Sequence, residues 1–373
     1  MTKRKLLPLM VGLAISSQTS YAFNDVSLSG FFTTGLSISD NEVIYRHDIN
    51  ETVNFSGDTL VGLQVNADLT DKISATAQLV SRGEYDSGFS TNADWAFVAF
   101  DVTDNLRVRA GKFRSPLYLI SDYQDVRFAQ PWVRPPVEVY GPVPPSLATA
   151  EGIDLLYSVP VGDYTVEFQP YLRRSAFEAT VRQIPLEGET KAFTGLNINV
   201  NGINGNLRLG HVETKIDFKP IFNSDIMGLF SQLTQLGAIP STLNAIDGDY
   251  ATITRTGSVD LKEFDASFSS IGGTWNLGNW LLMGEVAKVR TDSPLVPDTT
   301  GSYLTVGYRA GKFTPSLTLA QADPDDAGGW DQKSTTLGLR YDVSSNVSMK
   351  INVQSIEAEE SMPDESYLPY VPP

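Results

Sequence analysis

Fifteen stretches of strand-like alternation, joined by connections that are short and long in strict turn, constrain this chain more than any other feature. Residues 26–38 put Val26, Leu28, Phe32, Leu36 and Ile38 on one side and Ser27, Ser29, Thr33 and Ser37 on the other. Successive side chains of a strand point to opposite faces, so this pattern marks a half-buried strand. It returns at 58–69, 73–82, 93–102, 106–113, 151–159, 164–173, 193–200, 206–214, 264–276, 280–290, 302–310, 313–320, 334–343 and 347–356, with 280–290 the least regular. Seven connections are tight: 70–72, 103–105, 161–163, 201–204, 277–279, 311–312 and 344–346. Their Gly, Asn, Asp and Ser residues suit turns. The others are long: 39–57, 83–92, 114–150, 174–190, 215–260, 291–301 and 321–333.

Short turns at one end and long loops at the other describe an all-β transmembrane barrel of antiparallel strands. The polarity of the faces agrees. The polar faces carry Arg, Gln and Asn, which a soluble barrel could not bury, whereas a membrane barrel turns its apolar faces to lipid. Phe100, Tyr157, Trp275, Trp280, Tyr308, Phe313 and Tyr341 gather near the tight turns, where an aromatic girdle belongs. Bacterial barrels of one chain have even strand numbers. Fifteen strands are read here, and the last residues, 367–373, resemble the inside of a loop. The expectation is a barrel of about 16 strands whose closing strand is missing.

Residues 1–22 read as a cleavable export signal: Lys3, Arg4 and Lys5, an apolar run over 6–15, then Ser20-Tyr21-Ala22. The apolar run is shorter than the roughly 20 residues of a spanning helix. Residues 23–373 then form one barrel domain, exported to a bacterial outer membrane. The chain carries a net charge of −16 with scattered basic residues, which argues against a nucleic-acid partner. It has no cysteine, which excludes thiolate chemistry and disulfides.

The connection 114–150 is too long for a hairpin loop. Pro116, Pro131, Pro135, Pro136, Pro142, Pro144 and Pro145 bar it from a central strand. It nevertheless keeps Leu117, Tyr118, Leu119, Ile120, Phe128, Trp132, Val139 and Tyr140, which call for burial, along with Arg114, Asp122, Asp125, Arg127, Arg134 and Glu138. An apolar, Pro-rich, charged loop in a barrel chain is expected to fold into the interior and narrow it.

With the export signal, the hairpin rhythm and this loop in view, the chain resembles the Gram-negative outer-membrane porins of proteobacteria. The segments Arg109-Ala-Gly-Lys-Phe-Arg-Ser-Pro116 and Pro131-Trp-Val-Arg-Pro-Pro-Val-Glu-Val-Tyr140 resemble porin segments. The resemblance implies a sixteen-stranded barrel, a homotrimer, an inward-folded third loop, and passive diffusion of small hydrophilic solutes. The expected surroundings are outer-membrane lipid and lipopolysaccharide. An uptake channel with a solute-binding site at the loop is the alternative.

The inferred interior face holds Arg82, Arg107, Arg109, Arg173, Arg208, Arg309, Arg340 and Lys350, against Asp68, Asp154, Glu167 and Asp342. Rows of Arg and Lys favour anions. Arg107 and Arg109 share a strand face and lead into Arg114. They are expected to form a basic wall facing Asp122, Asp125 and Glu138, or else to tie the acidic loop to the wall. Phe222, Ile226, Leu229, Phe230, Leu233 and Leu236 have helical spacing over 221–237. Asp323, Asp325, Asp326, Glu357, Glu359 and Glu360 read as solvated loop charge. No phosphate loop, metal set or nucleophile motif is present, so neither cofactor nor catalysis is expected. The pair His47-Asp48 leaves a barrel hydrolase as a remote alternative, and His211 has no nucleophile signal near it.

Overall fold

The computed structural model describes residues 25–40, 49–83, 88–143, 147, 149–181, 184–220, 251–253, 259–261, 263–292, 298–324 and 331–358. Residues 1–22, His47 with Asp48, and residues 221–237, expected as a helix from their spacing, lie outside the described residues.

The strands are β1 (Asp25–Thr33), β2 (Leu60–Thr70), β3 (Ile73–Gly83), β4 (Phe89–Thr103), β5 (Leu106–Arg114) and β6 (Thr149–Val161). They continue as β7 (Tyr164–Arg174), β8 (Ala176–Val181), β9 (Ile184–Gly202), β10 (Gly205–Pro220), β11 (Ala251–Ile253) and β12 (Val259–Leu261). The last are β13 (Phe264–Leu277), β14 (Trp280–Thr291), β15 (Thr299–Tyr308), β16 (Phe313–Pro324), β17 (Gln332–Ser344) and β18 (Val347–Ala358). Sixteen form one sheet, with β8 off the main path and paired only to β9; β11 and β12 pair separately. Fifteen strands therefore follow one another around the sheet, each antiparallel to its neighbours, matching the fifteen stretches read in the sequence.

Several strands run further than the alternation suggested. Residues 184–190 and 215–220, expected in loops, extend β9 and β10, which pair up to Pro220↔Leu186. Residues 176–181, also expected in a loop, form β8. Ser175 alone separates β7 from β8, and the Thr190 N–H on β9 donates to its carbonyl at 2.8 Å. In the other direction, β1 stops at Thr33, and beyond it a single bridge joins Ser37 to Asn54.

The faces are those of a barrel set in lipid. Leu28 (68% exposed), Ile351 (68%) and Val353 (68%) cover the outside with Leu63, Ile271 and Leu304. Gln78, Asn197, Thr305 and Thr318 are buried on the inside. Near the tight turns Trp280 packs edge-on against Tyr308 at 4.9 Å, and Phe313 against Tyr341 at 4.8 Å. No helix among the described residues is long and apolar enough to cross a membrane, and these strands do the crossing instead.

Candidate functional site: a loop laid across the lumen

Between β5 and β6 the chain folds inward and touches strands on every side, which requires the sheet to be wrapped around it. The loop first climbs along the wall. Asn197 on β9 donates to Pro116 O (2.6 Å), and Ser270 on β13 to Leu117 O (2.6 Å). The Leu119 N–H donates to Glu285 Oε1 on β14 (2.8 Å).

A short turn, Ser121–Tyr123, then reverses the chain. Asp122 accepts from Arg208 on β10 at 3.0 Å. Asp125 crosses to the opposite wall, pairing with Arg82 on β3 (2.7 Å) and with Arg114 at the end of β5. A second turn, Arg127–Ala129, brings the chain to the last two strands. There Lys350 on β18 donates to Arg127 O and to Trp132 O (2.8 Å). Arg340 on β17 donates to Phe128 O and to Gln130 O (3.2 Å), with its guanidinium 4.7 Å from the Phe128 ring.

The second half packs as a core. Trp132 is fully buried and its indole N–H donates to Thr318 (2.9 Å) and Thr305 (3.1 Å). A one-turn helix, α1 (Val137–Tyr140), lies against β15. Tyr140 Oη donates to Glu285 Oε2 at 2.6 Å, and Gln332 donates to Glu138 at 2.6 Å. Leu117, Tyr118, Leu119, Ile120, Trp132, Val139 and Tyr140 form one cluster with the inward side chains Phe193, Val212, Phe268, Met283, Ala287, Tyr303 and Ala320. The apolar loop residues thus meet an apolar patch on the inner wall. Burial of each large side chain contributes about 1.5–3 kcal/mol to docking the loop.

The arginines singled out in the sequence have these places, whereas Asp48, Asp325, Asp326, Glu359 and Glu360 lie outside the described residues. Arg109 grips Asp154 with both Nε (2.9 Å) and Nη2 (2.6 Å), and Arg173 reaches the same carboxylate at 3.1 Å. Phe113 lies between these two guanidiniums, 4.8 Å from Arg109 and 4.1 Å from Arg173. Arg173 also donates to Arg114 O at 2.8 Å, which fixes where the loop leaves the wall. Arg134 pairs with Asp58 at 2.6 Å. Arg107 stands apart from the expected basic wall. It is bound bidentately by Asp101, which sits directly opposite it on β4. Arg309 falls in the tight turn after β15 and donates to Asn276 at 2.7 Å. The expected facing of a basic wall by Asp122, Asp125 and Glu138 across a gap is replaced by direct contact. Asp125 touches Arg114, Asp122 touches Arg208, and Glu138 is buried against Gln332. Of these, the buried Asp125 charge is the one offset by two guanidiniums, Arg114 and Arg82.

Three carboxylates important to this arrangement carry no signal in the alternation. Asp94 accepts from Arg82 (2.6 Å) and Arg114 (2.6 Å). It is the residue skipped where the β3–β4 register slips, Gln78↔Trp95 being followed by Leu79↔Ala93. Such a bulge re-aims a side chain. Asp58 lies in the connection before β2. Glu285 sits on β14, whose inner face is otherwise Met283 and Ala287.

The loop's titratable groups feel both burial and charge. Burial pushes the Asp125 carboxyl up, but Arg114, Arg82 and Arg127 outweigh it and hold it well below the usual carboxylate range. For Asp122, burial is likewise outweighed by Arg208, and the carboxyl is held low. Burial draws the Arg127 guanidinium down from its ordinary value. Burial raises the Tyr123 phenol to about 12. No cluster of side chains suited to a metal ion occurs among the described residues.

No protein-family model matches the sequence, and no curated protein does. Solved structures do match in fold. OmpT, an outer membrane protein of Vibrio cholerae in its trimer form, aligns at 12% identity over 89% of each chain, with a TM-score of 0.53. An anion-selective porin from Comamonas acidovorans aligns at 14% identity over 90% of each chain, with a TM-score of 0.52. The outer membrane channel DcaP of Acinetobacter baumannii aligns at 10% identity over 90% of each chain, with a TM-score of 0.53. At these identities the likeness is one of fold, and the chain has the outer-membrane β-barrel fold of the porins.

Proposed function

We propose that the chain is a passive channel for small hydrophilic solutes in the outer membrane of a Gram-negative bacterium, with a preference for anions. In this reading residues 1–22 are removed on export. Residues 23–373 form the barrel, set among lipid and lipopolysaccharide and assembled as a homotrimer. It has no catalytic role. The loop crossing the lumen supports a narrowed passage. The preference rests on one cluster, Arg127 on the loop beside Arg340 and Lys350 on the wall. Among the described residues no carboxylate pairs with Arg127, whose Nη1 is buried without a partner. Among the described residues Lys350 hydrogen-bonds to main-chain oxygens, and the carboxylate paired with Arg340 is Asp342, at 2.7 Å. Counted with the neighbouring pairs, the described cations Arg82, Arg114, Arg127, Arg134, Arg340 and Lys350 outnumber Asp58, Asp94, Asp125 and Asp342, an excess of positive charge that attracts anions. The likeness to the Comamonas porin, itself anion-selective, is in keeping with this.

The test is the zero-current potential of the purified protein in planar bilayers under a potassium chloride gradient. Anion selectivity is expected, and Arg127→Gln, which removes a charge without breaking an ion pair, should move the potential toward the cation side. A cation-selective wild type, or no shift in the variant, sinks the preference. Saturable block by one class of solute would favour a substrate-specific uptake channel over a general pore.

A further inference from the structure

The segment 127–134 does something beyond seating the loop. Its consecutive residues reach both ends of the sheet. The Val133 N–H donates to Asn352 Oδ1 on β18 at 3.0 Å. The next side chain, Arg134, donates from Nε to Asp58 Oδ1 (2.6 Å) and from Nη2 to Ser37 Oγ (3.3 Å). Both acceptors lie in the connection between β1 and β2, which the Ser37↔Asn54 bridge folds back on itself. Adjacent Cα atoms are about 3.8 Å apart. The two ends of the sheet are thus held within reach of one arginine. Lys350 strengthens the β18 side through Arg127 O and Trp132 O, and Arg340 does the same from β17. Among the described residues no ladder pairing joins β1 to β18, which stand at opposite ends of the strand order.

We propose that residues 127–134 are an internal clasp that holds β1 and β18 side by side. An unpaired strand edge facing lipid is costly, and a restraint applied from the lumen limits how far the seam can part without altering the lipid-facing surface. The bonds are suited to this. One is a charge-assisted contact to a buried carboxylate, one joins Arg134 to the Ser37 hydroxyl, and the others involve main-chain atoms of the loop, whose position depends little on side-chain identity. Movement of residues 127–134 and parting of the seam then become one event, while the stretch of the loop held by Glu285 can loosen without it. This inference does not depend on what passes through the lumen.

Amide hydrogen exchange of the full chain, folded in lipid nanodiscs, tests it. The double variant Asp58→Asn with Asn352→Ala should speed exchange in β1 and β18 about tenfold or more, as expected when charge-assisted bonds are lost from a local opening. Glu285→Gln loosens the loop at the far wall, on β14, and should leave β1 and β18 as in the wild type. Equal acceleration at all strands in the double variant, no acceleration, or acceleration of β1 and β18 by Glu285→Gln would each overturn the clasp. Should the double variant not fold, the charge exchange Arg134→Asp with Asp58→Arg takes its place. Either change alone should speed exchange at the seam, and together they should restore it. Failure of the pair to restore protection overturns the proposal.

Discussion

Gly301 shows how closely the loop is fitted. A Cβ built at this position on β15 would lie 2.0 Å from the Glu138 carbonyl oxygen. That atom belongs to main chain and cannot swing aside. Gly301→Ala should therefore lift α1 from the wall and destabilise loop docking by about 1–3 kcal/mol. The check is single-channel recording, in which the variant should show larger or noisier conductance; a trace identical to wild type would contradict the fit. Asp125 supports a second expectation at this scale. Its folded carboxyl titrates below the unfolded value of about 4. The stability it contributes is therefore fully present above about pH 4 and lost only as pH falls through the lower folded value. Conductance should be constant from pH 7 to about 4, with loop fluctuations appearing in stronger acid. A transition near pH 5 that vanishes in Asp125→Asn would contradict this.

At the scale of elements, much was legible and the failures have physical causes. Alternation located all fifteen strands on the main path because lipid outside and water inside impose opposite demands on each face. The inward loop was legible because its prolines and its apolar residues make contradictory demands that only burial without ladder pairing satisfies. The irregularity of residues 280–290 marks the place where this logic changes. Met283, Glu285 and Ala287 face the lumen but meet the loop's apolar core, so β14 is apolar on both sides. Glu285 was hidden by that inversion, and Asp94 by a bulge that period-two reading steps over. Arg82, Arg109, Arg114 and Arg173 were found as inward cations, but their pairing with wall carboxylates depends on registers that no single stretch encodes. Arg107 was drawn into the wrong group because strand parity fixes its face but not its height along the strand.

For the whole molecule, the arrangement is inside-out, with apolar residues outside and a polar, ion-paired interior around an apolar plug. Leu304 lies between Gly284 and Leu319 in the outer band, about half exposed. Leu304→Arg should lower barrel stability by about 2–4 kcal/mol when measured by denaturant unfolding in lipid vesicles. In a detergent that solvates the charge the effect should shrink. An unchanged midpoint in vesicles would mean that this face does not meet lipid.

The grip of Lys350 and Arg340 on four loop carbonyls has a consequence for how such a protein can change. A carbonyl is present whatever side chain its residue carries. A change of the Arg127 side chain can therefore alter the charge presented to the lumen while its carbonyl stays held by Lys350. The lumen surface at this point is separable from the bonds that seat the loop.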